Sequence, residues 1–145
     1  MPVVRLLGVY ENGAPPSPEV PSNPRTPLRV TQDSTTTIEL EVVGRNGEAI
    51  DLPAFLGLTG KICLTAKRTY YGVFGVPPDL YAEATLVPTA GPGRARFIIT
   101  PEQTRLLEPG IFAYDVWMQS SDPAPVREPL IPTSPLHLEP SVRVV

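Results

Sequence analysis

Thr100-Pro101-Glu102-Gln103-Thr104-Arg105-Leu106-Leu107-Glu108-Pro109-Gly110-Ile111-Phe112-Ala113-Tyr114-Asp115-Val116-Trp117 is the stretch that decides the fold. Thr100 suits a helix N-cap, Pro101 the first helical position, and Gln103 completes a Thr-x-x-Gln capping box. The helical turn stops at Pro109-Gly110. Beyond it Phe112, Tyr114, Val116 and Met118 share one face of a strand, and Asp115 and Trp117 share the other. One helical turn, a Pro-Gly corner and a two-residue period form the passage by which antiparallel sandwiches carry the chain from sheet to sheet.

The segments before it repeat the two-residue period. In Thr35–Val43, Ile38, Leu40 and Val42 fall on one face and Thr37, Glu39 and Glu41 on the other. Asn46-Gly47 follows, a hairpin turn pair because both positions tolerate positive φ. Ile62, Leu64 and Ala66 form the inward face of the next run. Leu80, Ala82, Ala84 and Leu86 form that of a third, with Tyr81, Glu83 and Thr85 outside. Ala95, Phe97 and Ile99 form a fourth. Six or seven short strands, one helical turn and turn signals between them predict an all-β, antiparallel β-sandwich.

Proline is the compositional outlier, with 20 among 145 residues. Six fall in residues 11–34, including Pro15, Pro16, Pro18 and Pro21, and six in residues 121–145. Proline fixes φ and removes a backbone donor, so neither stretch reads as helix or central strand along its length. The expected arrangement is a single domain over 1–145, with a sandwich core of about 35–119 between an extended N-terminal arm, 11–34, and a proline-rich C-terminal segment, 121–145. Strand pairing in that last segment is expected only in short pieces, Leu136–Leu138 and Ser141–Val145. The aromatic run Tyr70-Tyr71-Gly72-Val73-Phe74 before Pro77-Pro78 reads as an exposed loop, more apolar than solvent alone favours.

Composition narrows the function. A net charge of -3 argues against a nucleic-acid partner. No apolar run approaches the roughly 18 residues that cross a bilayer, and none near the start resembles a signal peptide. Cys63 is the single cysteine and His137 the single histidine, so neither a disulfide nor a Cys/His zinc cluster can be built. Cys63 sits in mid-strand, pointing away from Ile62 and Leu64, and reads as a buried thiol. Glu39 and Glu41 share a strand face, where such pairs are solvated more often than they serve as a glycosidase pair. No phosphate loop, nucleophile elbow or acid-rich calcium loop is present. No enzyme, cofactor or metal is expected.

The Thr35–Val43 strand, the Gly44-x-x-Gly47 turn leading to Ile50-Asp51-Leu52, and the run from Phe97 through Thr100-Pro101-Glu102-Gln103-Thr104 to Phe112-x-Tyr114-Asp115-Val116 resemble a virion module of tailed bacteriophages. The resemblance is to the immunoglobulin-like N-terminal domain of baseplate upper proteins and related tail and fibre-attachment proteins, and covers residues 33 to 119. It implies an immunoglobulin-like sandwich that acts as a structural subunit of a virion, assembled in the bacterial cytoplasm, with other virion proteins as partners and a homo-oligomer in the particle. The aromatic loop (Tyr70, Tyr71, Val73, Phe74) and the prolines of the N-terminal arm are the expected contact residues. The family's trailing fibre part has no counterpart here. Leu107 and Tyr114 are one residue further apart than in fibronectin-like corners, so the bond of a tyrosine corner is not assigned to Tyr114. A capsid decoration protein is one alternative. A carbohydrate-binding or adhesion sandwich is another, and it would need an aromatic platform drawn from Tyr70, Tyr71, Tyr81 and Trp117.

Overall fold

Alternation along the chain becomes two packed sheets in a computed structural model that describes residues 3–10, 26–57, 59–68, 78–120 and 127–141. In chain order the strands are β1 (Val3–Tyr10), β2 (Leu28–Thr31), β3 (Thr36–Gly44), β4 (Lys61–Lys67), β5 (Leu80–Glu83), β6 (Thr85–Leu86), β7 (Arg94–Ile99), β8 (Gly110–Gln119) and β9 (Arg127–Glu139), with helices α1 (Leu52–Leu56) and α2 (Pro101–Thr104). One sheet has the order β1-β3-β7-β6, the other β2-β9-β8-β4-β5. Setting β1 aside, this is the immunoglobulin order, with β3, β7 and β6 on one sheet and β9, β8, β4 and β5 on the other. β2 runs parallel beside β9.

The inward residues read from the sequence make the core. Ile38, Leu40, Val42, Ile62, Leu64, Ala66, Ala95, Phe97, Ile99, Phe112, Tyr114, Val116 and Met118 are all buried. The deciding stretch folds as read. β7 lies in the first sheet, α2 follows with its capping box, in which Gln103 Oε1 accepts the Thr100 N–H at 2.8 Å, and β8 begins at Gly110 in the second sheet.

Four expectations need correction. The run Leu80–Leu86 is two strands in different sheets, because the chain crosses over at Ala84 after β5 has paired with β4 and before β6 pairs with β7. The sandwich extends beyond 35–119. Leu6 and Val9 from β1, and Leu28 and Val30 from β2, are buried in it. The proline-rich C-terminal segment is not broken into short pieces. β9 runs 13 residues and lies inside its sheet. Its prolines are tolerated because β2 pairs with it only from Leu136 onward, which leaves Pro129, Pro132 and Pro135 with β8 alone as a strand neighbour. Two register shifts against β8, at Leu130 and at Pro132–Thr133, absorb the misfit as bulges. Finally, Asp51-Leu52-Pro53 starts a short helix that strand patterning does not reveal. The Asp51 carboxylate accepts the Ala54 N–H at 3.3 Å, and α1 buries Leu52 and Leu56 and sets Phe55 edge-on to Tyr10.

Tyr114 does make a long-range bond to backbone, to a partner the corner rule does not name. Its buried hydroxyl donates to the Thr26 carbonyl, 88 residues away, while the Thr26 N–H donates to Ser134 Oγ at 3.2 Å. Tyr114 and Ser134 face each other in the β8–β9 ladder, so together they seize the segment that enters β2. Tyr114→Phe keeps the ring and orphans the carbonyl. Urea unfolding should show a loss of about 1–2 kcal/mol with an unchanged m-value.

Candidate interaction face

The outward residues of the second sheet are brought into two cross-strand rows by its register. Trp117 lies beside Cys63 and Cys63 beside Glu83, while Asp115 lies beside Thr65 and Thr65 beside Tyr81. Arg127, opposite Gln119 at the start of β9, lays its guanidinium 3.9 Å from the centre of the Trp117 ring, and the Lys61 ammonium lies 5.9 Å from it. Cation–π attraction of this kind contributes about 0.5–2 kcal/mol and sheathes the indole. Trp117 is 9% exposed.

Beside it runs a short relay of polar atoms. The Tyr81 hydroxyl donates to Glu83 Oε1 at 2.8 Å and lies 3.2 Å from Cys63 Sγ. With the one phenolic proton committed to the carboxylate, the thiol is the donor to the phenolic oxygen. Lys61 stands 4.0 Å from Glu83, and Thr65 donates to Asp115. Burial pushes the Cys63 thiol above its ordinary 9.0, against the opposing pull of the Tyr81 hydrogen bond and Lys61. Burial first, and then the bonds to Cys63 and Glu83, push the Tyr81 phenol upward. Both groups therefore stay protonated at neutral pH. The arrangement holds a thiol in place and does not prepare a nucleophile.

The remaining sequence candidates are dispersed. Glu39 is paired with Arg5 at 3.7 Å and Glu41 with Arg94 at 3.3 Å on the outer face of the first sheet. Each acid thus has its own cation and neither is aimed at the other. His137 faces Ile111 on β8 and Arg29 on β2. Among the described residues no group of three or more His, Cys, Asp or Glu converges on a metal position. Of the four aromatics a carbohydrate platform would need, Trp117 is covered and the Tyr81 hydroxyl is engaged. Tyr70 and Tyr71 lie outside the described residues, as do Val73, Phe74, Pro15, Pro16, Pro18 and Pro21.

Two of the clefts on the described surface border these strands. One, of about 280 Å³, is bordered by Arg68, Ile111, Ala113, Thr133 and Pro135. Gly110 opens it. At φ 151° it carries no Cβ, which would stand 2.8 Å from Arg68 Nη1. Arg68 can then cross to the Glu108 carbonyl and lie 4.3 Å from the Phe112 ring centre. The other cleft, of about 360 Å³, is bordered by Thr85, Leu86, Pro88, Arg96 and Ile98. The Trp117–Arg127 stack was beyond sequence reasoning, since ten residues and a strand reversal separate the two. The one signal was an outward tryptophan in a strand whose reverse face is wholly apolar.

No family model matches the sequence, and no curated protein matches it. Solved structures do match. The chain is similar to the N-terminal domain of phage TP901-1 ORF48, with a TM-score of 0.52 and 15% identity, over 96% of this chain and 99% of that one. At that identity the likeness establishes the fold.

The polar relay predicts an alkaline limit to stability. In the unfolded chain the thiol and the two phenols ionise at their ordinary 9.0 and 10.0, whereas in the folded chain Cys63, Tyr81 and Tyr114 hold their protons to higher pH. The unfolded state thus loses protons first. The contribution is complete below about pH 9 and declines above it. The urea midpoint should fall as pH rises from about 9, and less steeply in Cys63→Ala. A disulfide reagent at neutral pH should leave the native thiol unmodified and react on unfolding.

Proposed function

We propose that this chain is a structural subunit of a tailed phage virion, located in the tail or baseplate and working by docking against other virion proteins. The carrying observation is its fold, which is like that of a phage protein domain along nearly the whole of both chains. Two further features support the reading. The Phe97–Trp117 run that resembles the baseplate family forms the β7–α2–β8 corner on which that fold turns. On the described surface Glu39 and Glu41 are held in ion pairs, the Trp117 indole is sheathed by Arg127 and the Cys63 thiol stays protonated. On this reading contacts fall to the proline-bearing residues 11–25 and to the aromatic residues 69–77. Proline-rich chain loses less conformational entropy on docking, and aromatic side chains supply apolar contact.

An affinity-tagged copy expressed in cells producing the phage, followed by immunogold labelling of purified particles, tests this directly. Gold at the distal tail is the expected result. Gold over the head would make the chain a decoration protein, and particles free of the tag would end the virion reading. Tyr70→Ala with Phe74→Ala should reduce incorporation about tenfold while leaving the thermal unfolding of the isolated chain unchanged.

A further inference from the structure

Between α2 and β8 stands Leu106, at 93% the most exposed large apolar side chain among the described residues. Two residues on is Glu108, also exposed. Its carbonyl accepts from Arg68, but its carboxylate has no cation within ion-pair distance among the described residues. A single exposed leucine is ordinary. Here the same chain also carries its complement. On the outer face of the first sheet Ile98 is 52% exposed, and Arg96 lies two residues back along β7 on the same face. With Leu86, Val87 and Pro88 they border the cleft of about 360 Å³. Among the described residues Arg96 is the one arginine of that face without an acid. Glu39, opposite it in the β3–β7 ladder, is taken by Arg5, and Arg94 has Glu41. Glu83, on the rim of the cleft, is held by the Tyr81 hydroxyl and Lys61.

We propose that this cleft receives the Leu106–Glu108 corner of a second copy, with Leu106 against Ile98 and its apolar walls and Glu108 against the Arg96 guanidinium. The two halves agree in spacing. Residues two apart on one strand face lie about 6.6 Å from each other, and residues two apart in a corner at most about 7 Å. Both contacts therefore form together, one apolar and one a charge-assisted pair between groups that have no other ion partner among the described residues. The second cleft offers no such match, because the Arg68 guanidinium is already spent on the Glu108 carbonyl and the Phe112 ring. What selects a second copy over a foreign segment is that one chain carries both halves, equal in spacing and opposite in charge. Knob and cleft are different surfaces, so the contact is heterologous and joins copies into a closed ring or an open row. A contact of this size is weak singly and gains strength when neighbours are held together. It does not rest on the virion reading.

Light scattering on the purified full chain across a concentration series tests the contact. The mean mass should rise above the 15.7 kDa of one chain as concentration increases. Leu106→Asp spoils the knob and Arg96→Glu spoils the cleft, and each should weaken association about tenfold. Both positions are exposed, and circular dichroism on each variant checks that the fold is kept. Mixing the two variants decides the geometry. The first still has a sound cleft and the second a sound knob, so together they should form a pair of twice 15.7 kDa that neither forms alone. Arg96→Glu combined with Glu108→Arg should restore association in a single chain. A wild-type chain that is monomeric at every concentration, or a mixture that stays monomeric, overturns the proposal. Failure of the charge exchange to rescue overturns the pairing of Arg96 with Glu108.

Discussion

The β8–β9 ladder is the interaction on which the second sheet depends. β2 reaches that sheet only through β9, and β4 and β5 only through β8. The ladder must therefore hold although one of its strands carries Pro129, Pro132 and Pro135. It does so by confining them to the part of β9 that lacks a second strand neighbour, and by two bulges that let the register slip and recover. Inside those bulges Leu130 and Ile131 are still buried, so the apolar face survives the irregularity. Ser134 accepts the Thr26 N–H and donates to the Pro132 carbonyl at 2.8 Å. The proline kink thereby becomes an anchor for the incoming N-terminal strand.

Electrostatics on the two outer faces follow from the same registers. On the first sheet, acidic β3 lies between cationic neighbours on β1 and β7, so Glu39 and Glu41 are matched strand to strand. These exposed pairs contribute little stability, and their effect is on register and partner choice. On the second sheet, Arg127 and Lys61 flank the indole while Tyr81 ties the thiol to a carboxylate. Among the described residues the buried indole Nε1 has no hydrogen-bond partner.

Much of the sandwich is legible in the chain because its signals are local. Ile38, Leu40 and Val42, or Phe112, Tyr114, Val116 and Met118, declare a buried face by period alone. Thr100-Pro101 and Gln103 declare a helix start by the backbone donors they satisfy. The misses have physical causes as well. Val3–Tyr10 is apolar on both faces apart from Arg5, so no two-residue period marks it, and its partner β3 runs parallel to it and lies more than 20 residues on, with no turn to announce the pairing. Leu80–Leu86 keeps a constant period through Ala84, because a strand that changes sheets need not change its alternation. The prolines of β9 argue correctly against an interior strand until the limits of β2 are known, since a missing N–H matters only where a neighbour needs it.

What the sequence by itself determined was the class of fold and the faces of most strands, because both rest on spacing within ten residues or so. Tertiary structure alone decided which strands share a sheet, that Tyr114 holds Thr26, that Trp117 lies under Arg127, and that β1 is an outer strand among the described residues. Those outcomes depend on contacts between residues far apart in the chain, or brought together by a strand reversal. Such contacts are set by the closure of two sheets around one core, and no local pattern encodes them.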